Sequence, residues 1–135
     1  MTARAIGPFE VKLNPQKPDN QPAENSKLGR MSIEKTFHGD LEATSLGEML
    51  MVQTDVKGSA GYVALEHVVG TLAGLSGTFV LQHNGIMNRG VPELSVTVVP
   101  DSATGELAGL AGKMAIKIEA GKHSYEFDYT LIDHN

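Results

Sequence analysis

The chain has 135 residues, enough for one hydrophobic core but not for two. Its formal charge is −5 and its eleven Lys and Arg residues are scattered, which argues against a surface for nucleic acid or anionic membrane. It lacks cysteine, which excludes disulfides, thiolate catalysis and Cys-based metal sites. The sequence shows no apolar segment typical of a signal peptide or a membrane span. We therefore expect one cytoplasmic domain over residues 1–135.

The first strand is predicted at about residues 7–13. A loop over 14–26 follows it, with three prolines and no apolar side chain larger than alanine. The remaining strands are predicted within 27–132, where apolar and polar residues alternate with the period of about two that half-buried strands show. The segment "RMSIEKTF", for example, places Met31, Ile33 and Phe37 on one face.

Clusters of Gly, Asn, Asp and Pro break these runs at residues 55–59, 84–90, 100–105 and 120–122. About eight strands and few helical windows predict an all-β domain. Because closure removes exposed strand edges, we predict an eight-stranded antiparallel β-barrel.

Two segments repeat each other: "GTLAGLSG" at 70–77 and "GELAGLAG" at 105–112. The glycine spacing matches neither a P-loop nor a dinucleotide-binding fingerprint, and strand-like residues follow both copies. A helix over the second copy would hold two internal glycines, at roughly 1 kcal/mol each relative to alanine. We therefore interpret both copies as sheet elements whose glycines allow bulges and close strand approach.

Four blocks of the chain carry a family resemblance: "FHGDLEA", "YVALEHVVGTLAGLSGTFVLQHNG", "VVPDSATGELAGLAG" and "HSYEFDYTL". Together with "GPFEVKL" near the start, they resemble the DUF3224 family of small bacterial proteins over nearly the whole chain. One departure is "PDSATGEL", where Asp101 and Ala103 stand at positions expected to be glycine. The resemblance implies an allene oxide cyclase-like barrel, similar in shape to lipocalins, and supplies no activity.

Glu66 is the first candidate for chemistry, in the middle of the strand "YVALEHVVG". If its face points inward, burial would raise its pKa and suit it to proton transfer. The alternation alone favours the opposite face, because Val63, Leu65 and Val69 form the more apolar set. The family resemblance favours an inward-facing Glu66, so both orientations of this strand stay open.

His83 and Gln82 end an apolar strand next to a predicted loop, where a histidine could act as a base or orient a ligand. Glu106 is a carboxylate found in the second repeat and replaced by Thr71 in the first. Structural explanations also exist. His83 could be a partly buried ring that hydrogen-bonds to a backbone carbonyl, and Glu106 could be a solvated turn residue. The candidate catalytic residues are Glu66, His83 and Glu106.

Tyr125 and Tyr129 share a face with Phe127 and complete the candidate ligand-binding set of Glu66, Gln82, His83, Glu106, Tyr125 and Tyr129. The five histidines are dispersed and show no pair at metal-ligand spacing, so we expect no metal and no cofactor. No Gly-x-Ser-x-Gly motif is present to support serine hydrolysis.

Three functions remain open. The first is a barrel that binds a small hydrophobic or aromatic molecule in its interior. The second is an isomerase or cyclase that uses a barrel carboxylate or histidine as acid or base. The third is a filled barrel that acts as a structural or interaction protein.

A homodimer or higher oligomer is also expected, because "EMLMVQ" is apolar on both faces of a strand. It sets Met49 and Met51 against Leu50 and Val52, so both faces need cover, and an exposed methionine patch would mark the interface.

Overall fold

The structure is a computed structural model that describes residues 2–17 and 27–131. These residues form strands and turns. The strands are β1 (Thr2–Gln16), β2 (Leu28–Phe37), β3 (Leu41–Gln53), β4 (Ala60–Leu72), β5 (Leu75–Asn88), β6 (Val91–Val98), β7 (Thr104–Gly105), β8 (Ala111–Glu119) and β9 (Lys122–Thr130).

Eight of these strands close into a barrel. Hydrogen-bonded neighbours follow the order β1-β2-β3-β4-β5-β6-β8-β9, β9 pairs with β1, and all pairings are antiparallel. The short β7 lies in the connection between β6 and β8 and adds to the edge of β5. The prediction of an all-β, eight-stranded antiparallel barrel is confirmed.

The first strand is longer than predicted, because β1 serves two neighbours in turn. Its first half pairs with β9 and its second half with β2, and Phe9 is paired with both Phe37 and His123. The predicted loop over 14–26 therefore begins too early, since Pro15 still pairs with Met31. Proline is tolerated there because this half of β1 pairs with β2 alone. Residues 18–26 of that loop lie outside the described residues.

One end of the barrel, which we call the packed end, is filled by large side chains. Phe37, Phe79, Tyr125 and Phe127 are fully buried there, and Leu107 from the β6–β8 connection packs against them. The β2–β3 and β4–β5 turns lie at this end. Because aromatic and leucine side chains occupy the space, this half of the barrel is a hydrophobic core.

The opposite end, which we call the mouth, is lined less completely. A small cluster of Ile33, Met49 and Ala64 is covered there by half-buried side chains: Val11, Met31, Met51 and Tyr62. The strands β6 and β8 share a single ladder pair, between Thr97 and Lys113. The mouth is therefore an apolar surface on the inner face of the barrel that residues 2–17 and 27–131 only half cover.

The two glycine-rich repeats differ in conformation. The first forms the β4–β5 hairpin, with Ala73 and Gly74 at positive φ between the paired Leu72 and Leu75, as predicted. The second forms successive turns, in which Leu107 N donates to Thr104 O and Leu110 N donates to Leu107 O. The prediction of a sheet element for the second copy is wrong for residues 106–110, which lie between β7 and β8, because these turns bury Leu107 and Leu110 at the packed end.

Close approach of two strands explains one glycine of the first repeat. A Cβ added to Gly70 in β4 would lie 2.5 Å from the Cα of Ala43 in β3, well inside van der Waals contact. A Cβ added to Gly61 in the same strand would have its nearest neighbour 3.8 Å away, at the carbonyl oxygen of Gly85.

Gly70→Ala is therefore expected to lower the free energy of unfolding by about 1–3 kcal/mol, because the two strands must separate. Gly61→Ala, the matched control, is expected to change it by less than about 0.5 kcal/mol. Urea unfolding followed by circular dichroism measures both. Equal losses in the two variants would contradict this role for Gly70.

Candidate functional site

Glu66 faces into the barrel and is completely buried, with an exposed fraction of 0 %. Ala64 and Val68 on the same face of β4 are buried, whereas Val63 and Leu65 are about half exposed on the outside. The structure thus decides between the two orientations left open by the sequence. The apolar alternation favoured the other face because the outer side of β4 is itself apolar.

Three side chains donate hydrogen bonds to the Glu66 carboxylate. Ser45 Oγ lies 2.7 Å from Oε1, while Lys35 Nζ and His83 Nε2 lie 2.9 Å and 2.6 Å from Oε2. Lys35 and His83 are 8 % and 3 % exposed. A buried anion is therefore matched by one buried cation and two further donors, as the cost of desolvation requires.

The strand register brings this cluster together. Lys35 lies on β2 opposite Ser45 on β3, and Glu66 on β4 pairs with Leu81 on β5, two residues before His83. The ammonium of Lys35 also lies 5.1 Å from the centre of the Phe9 ring, close enough for a cation–π interaction. The cluster occupies the middle of the barrel, between the packed end and the mouth.

The charges of this cluster set the protonation of Glu66. Burial by itself would raise the pKa of the carboxyl group, but the hydrogen bond from His83 and the charge of Lys35 outweigh it and lower the pKa to about 2. Glu66 is therefore ionised at neutral pH.

Tyr62 extends the cluster toward the mouth. Its hydroxyl lies 3.3 Å from Nδ1 of His83. Ionised Glu66 accepts from Nε2 of His83, so in the tautomer with a single ring proton Nδ1 accepts a hydrogen bond from the Tyr62 hydroxyl. Burial and the charge of Glu66 both raise the pKa of Tyr62, which keeps the phenol protonated.

Gly85 provides the space that the Tyr62 ring occupies. A Cβ at residue 85 would lie 2.7 Å from Cδ1 of the ring, so a larger residue there would displace it. The "QHNG" segment of β5 thus positions both His83 and Tyr62.

The structure brings together two of the residues singled out from the sequence, Glu66 and His83, and separates the others from them. Gln82 is exposed on the outer face of β5. Glu106 is exposed and accepts a hydrogen bond from the Ser76 backbone N–H at 3.0 Å. Tyr125 donates to the carbonyl of His38 and accepts from the Leu41 N–H, and Tyr129 stacks on Phe127.

Three members of the cluster were missed by the sequence analysis: Lys35, Ser45 and Tyr62. Lys35 stands between Ile33 and Phe37 on the inward face already identified in "RMSIEKTF". A lysine at an inward position of an apolar strand face is the signal that could have found it. Ser45 gives no comparable signal, because serine is common on either face.

The described part of the chain contains no group of three His, Cys, Asp or Glu residues placed to hold a metal ion. Within the same residues there is no helix long and apolar enough to cross a membrane. The Glu66 cluster offers a hydrogen-bonded path from a buried carboxylate through an imidazole to a phenol.

Comparison with known proteins places the chain in a family. The family model for DUF3224, a protein family of unknown function, matches residues 5–129. The chain belongs to the DUF3224 family. A crystal structure of a DUF3224 protein of unknown function from Shewanella oneidensis MR-1 is 51 % identical to it. That comparison covers 99 % of this chain and 100 % of the other, with a TM-score of 0.92. No curated protein matches the chain.

Proposed function

We propose that this DUF3224 protein binds a small, mainly apolar molecule at the mouth of its barrel and hydrogen-bonds it through Tyr62. The observation that carries this proposal is the chain of hydrogen bonds from buried Glu66 through His83 to the half-buried Tyr62 hydroxyl. A buried ionic cluster adds little net stability, so its connection to a half-open apolar surface supports a role in recognition.

The direction of these hydrogen bonds defines the ligand. The Tyr62 hydroxyl uses its proton toward His83 and keeps its lone pairs, so it accepts a hydrogen bond from the ligand. The surrounding Met31 and Met51 side chains are flexible and apolar and adapt to irregular shapes. The ligand class is therefore an apolar or aromatic molecule with one O–H or N–H donor.

The filling of the packed end limits where such a ligand can lie. Tyr125, Phe127 and Leu81 are almost completely buried and occupy the interior beyond the Glu66 cluster. We therefore place the ligand at the mouth and not at Tyr125 or Tyr129. If no ligand binds, the alternative is a filled barrel with a purely structural role.

N-phenyl-1-naphthylamine is a suitable probe, because it is apolar, carries one N–H donor and becomes fluorescent in apolar surroundings. We expect saturable binding to the protein and roughly 5-fold weaker binding to Tyr62→Phe, as the loss of one hydrogen bond gives. Tyr129→Phe, the matched control at the packed end, is expected to bind like the unmodified protein. Absence of saturable binding, or equal affinities for Y62F and the unmodified protein, would contradict the proposal.

A second candidate, acid–base catalysis by an isomerase or cyclase, is supported by the same chain of groups. A proton taken from the ligand by the Tyr62 oxygen would be balanced by transfer of the phenol proton to Nδ1 of His83. Glu66 would then stabilise the resulting imidazolium, as the carboxylate of a hydrolase triad does. Exchange of solvent deuterium into a bound ketone such as 1-tetralone distinguishes catalysis from binding alone.

A further inference from the structure

The outer surface of β3, β4 and β5 carries an apolar patch that plays no part in the proposed ligand site. We call it the outer patch and define it by six exposed side chains: Leu46, Leu50, Val63, Leu65, Val69 and Ile86. The register makes most of it contiguous, because Leu50 pairs with Val63, and Leu65 pairs with Glu48 between the two leucines of β3. We propose that the outer patch is the interface of a homodimer.

The same strands are apolar on both faces. The barrel covers Met49 on the inner face of β3, whereas Leu46 and Leu50 on the outer face remain 66 % and 55 % exposed. The expected methionine patch is therefore absent from this outer face, where leucine and valine take its place. A sheet that is apolar on its outer side needs a second surface to cover it.

The size of the outer patch matches what a dimer requires. Six Leu, Val and Ile side chains that are about half exposed present roughly 600 Å² of apolar surface. One side of a standard interface buries about 800 Å², of which roughly 60 % is apolar. Four residues of the patch, Leu46, Leu50, Val63 and Leu65, line a groove of about 1130 Å³ that a partner surface could fill.

The charge of the outer patch favours a second copy of this chain as the occupant. A two-fold dimer places the same patch on both sides, so a patch with net charge would repel itself. The chain carries a net charge of −5, yet Glu48, the acid at the centre of the patch, is paired with Arg30 at 2.6 Å. A surface for anionic lipid would instead need an excess of Lys and Arg.

Sedimentation equilibrium tests the proposal with matched substitutions. At about 100 µM we expect the unmodified protein to have twice the 14.4 kDa mass of the chain. Leu65→Glu buries a charge at the centre of the contact and is expected to weaken association at least roughly 100-fold, giving monomers. Ile118→Glu changes a side chain that is 64 % exposed on β8 and is expected to leave the dimer intact.

Circular dichroism of both variants establishes that they remain folded, as exposed positions allow. An unmodified protein that is monomeric at this concentration would overturn the proposal and leave the patch to a different protein or a small molecule. A dimer that survives Leu65→Glu, or that Ile118→Glu also disrupts, would overturn it as well.

Discussion

Glu66→Gln is expected to lower the free energy of unfolding by about 3–5 kcal/mol, the loss found when one partner of a buried ion pair is removed. Glutamine keeps the size of the side chain but has a single acceptor oxygen, which can replace Oε1 for Ser45 or Oε2 for His83 and Lys35, not both. What it removes is the negative charge 2.9 Å from Lys35, whose ammonium then remains buried without a counter-ion.

The double variant Lys35→Met/Glu66→Gln separates the ionic contribution from packing. Because no buried charge remains, we expect it to recover to within about 1–2 kcal/mol of the unmodified protein. Asp128→Asn breaks the Arg4–Asp128 pair on the surface and is expected to leave the free energy of unfolding nearly unchanged. Urea unfolding at neutral pH measures all three. A double variant as unstable as Glu66→Gln would show that Lys35 does not depend on Glu66.

Acidification is expected to lower the free energy of unfolding by about 3 kcal/mol through Glu66 alone. This is on the order of the contribution of a carboxyl group whose pKa is about 2 in the folded protein and 4.5 in the unfolded chain. A folded-state pKa below the unfolded value means that the unfolded chain binds the proton more readily. The contribution is therefore complete above pH 4.5 and is lost as the pH falls from 4.5 to about 2.

Comparison with Lys35→Met/Glu66→Gln isolates this contribution. The surface pairs of Glu126 and Asp128 also have lowered pKa values, and they respond to acid equally in both proteins. We expect the unmodified protein to lose roughly 2–3 kcal/mol relative to the double variant from pH 5 to pH 2.5, so that any advantage it has at neutral pH is cancelled or reversed in acid. Parallel pH profiles would mean that Glu66 is not held as an anion by Lys35 and His83.

The fold could be predicted because it depends on patterns that neighbouring residues share. Alternation in "RMSIEKTF" identified the inward face of β2, whereas in β4 it favoured the wrong face. Turn residues marked most strand ends, although the break predicted at 84–90 begins too early, because β5 runs to Asn88. The predicted strands therefore closed into the observed barrel. The second glycine repeat was predicted incorrectly because its turns depend on the packing of Leu107 and Leu110, which lies outside any local pattern.

The site could be predicted only in part, because its members come from four different strands. Glu66 and His83 were identified one at a time, as polar residues on apolar strands. Their contact depends on the register between β4 and β5, which a slip of one residue would abolish. Lys35 and Ser45 join them across β2 and β3, at sequence separations that no motif connects.

The buried cluster and the outer patch suggest a division of roles within one barrel. The interior places a polar chain that ends in Tyr62 beside apolar side chains at the mouth, which suits recognition of a ligand. The outer patch on β3, β4 and β5 suits contact with a second copy of this chain. Because β4 carries Tyr62 at the mouth and Leu65 on its outer face, Tyr62→Phe and Leu65→Glu test the two roles independently.

The most direct test of the ligand site is a titration of the protein with N-phenyl-1-naphthylamine, followed by NMR of ¹³C-labelled Met and Leu methyl groups. Binding at the mouth predicts saturable shifts of the Met31 and Met51 methyls, while Met114 at the packed end and Leu46 and Leu65 on the outer patch stay unchanged. Shifts confined to Leu46 and Leu65, with Met31 and Met51 unaffected, would contradict a ligand site at the mouth.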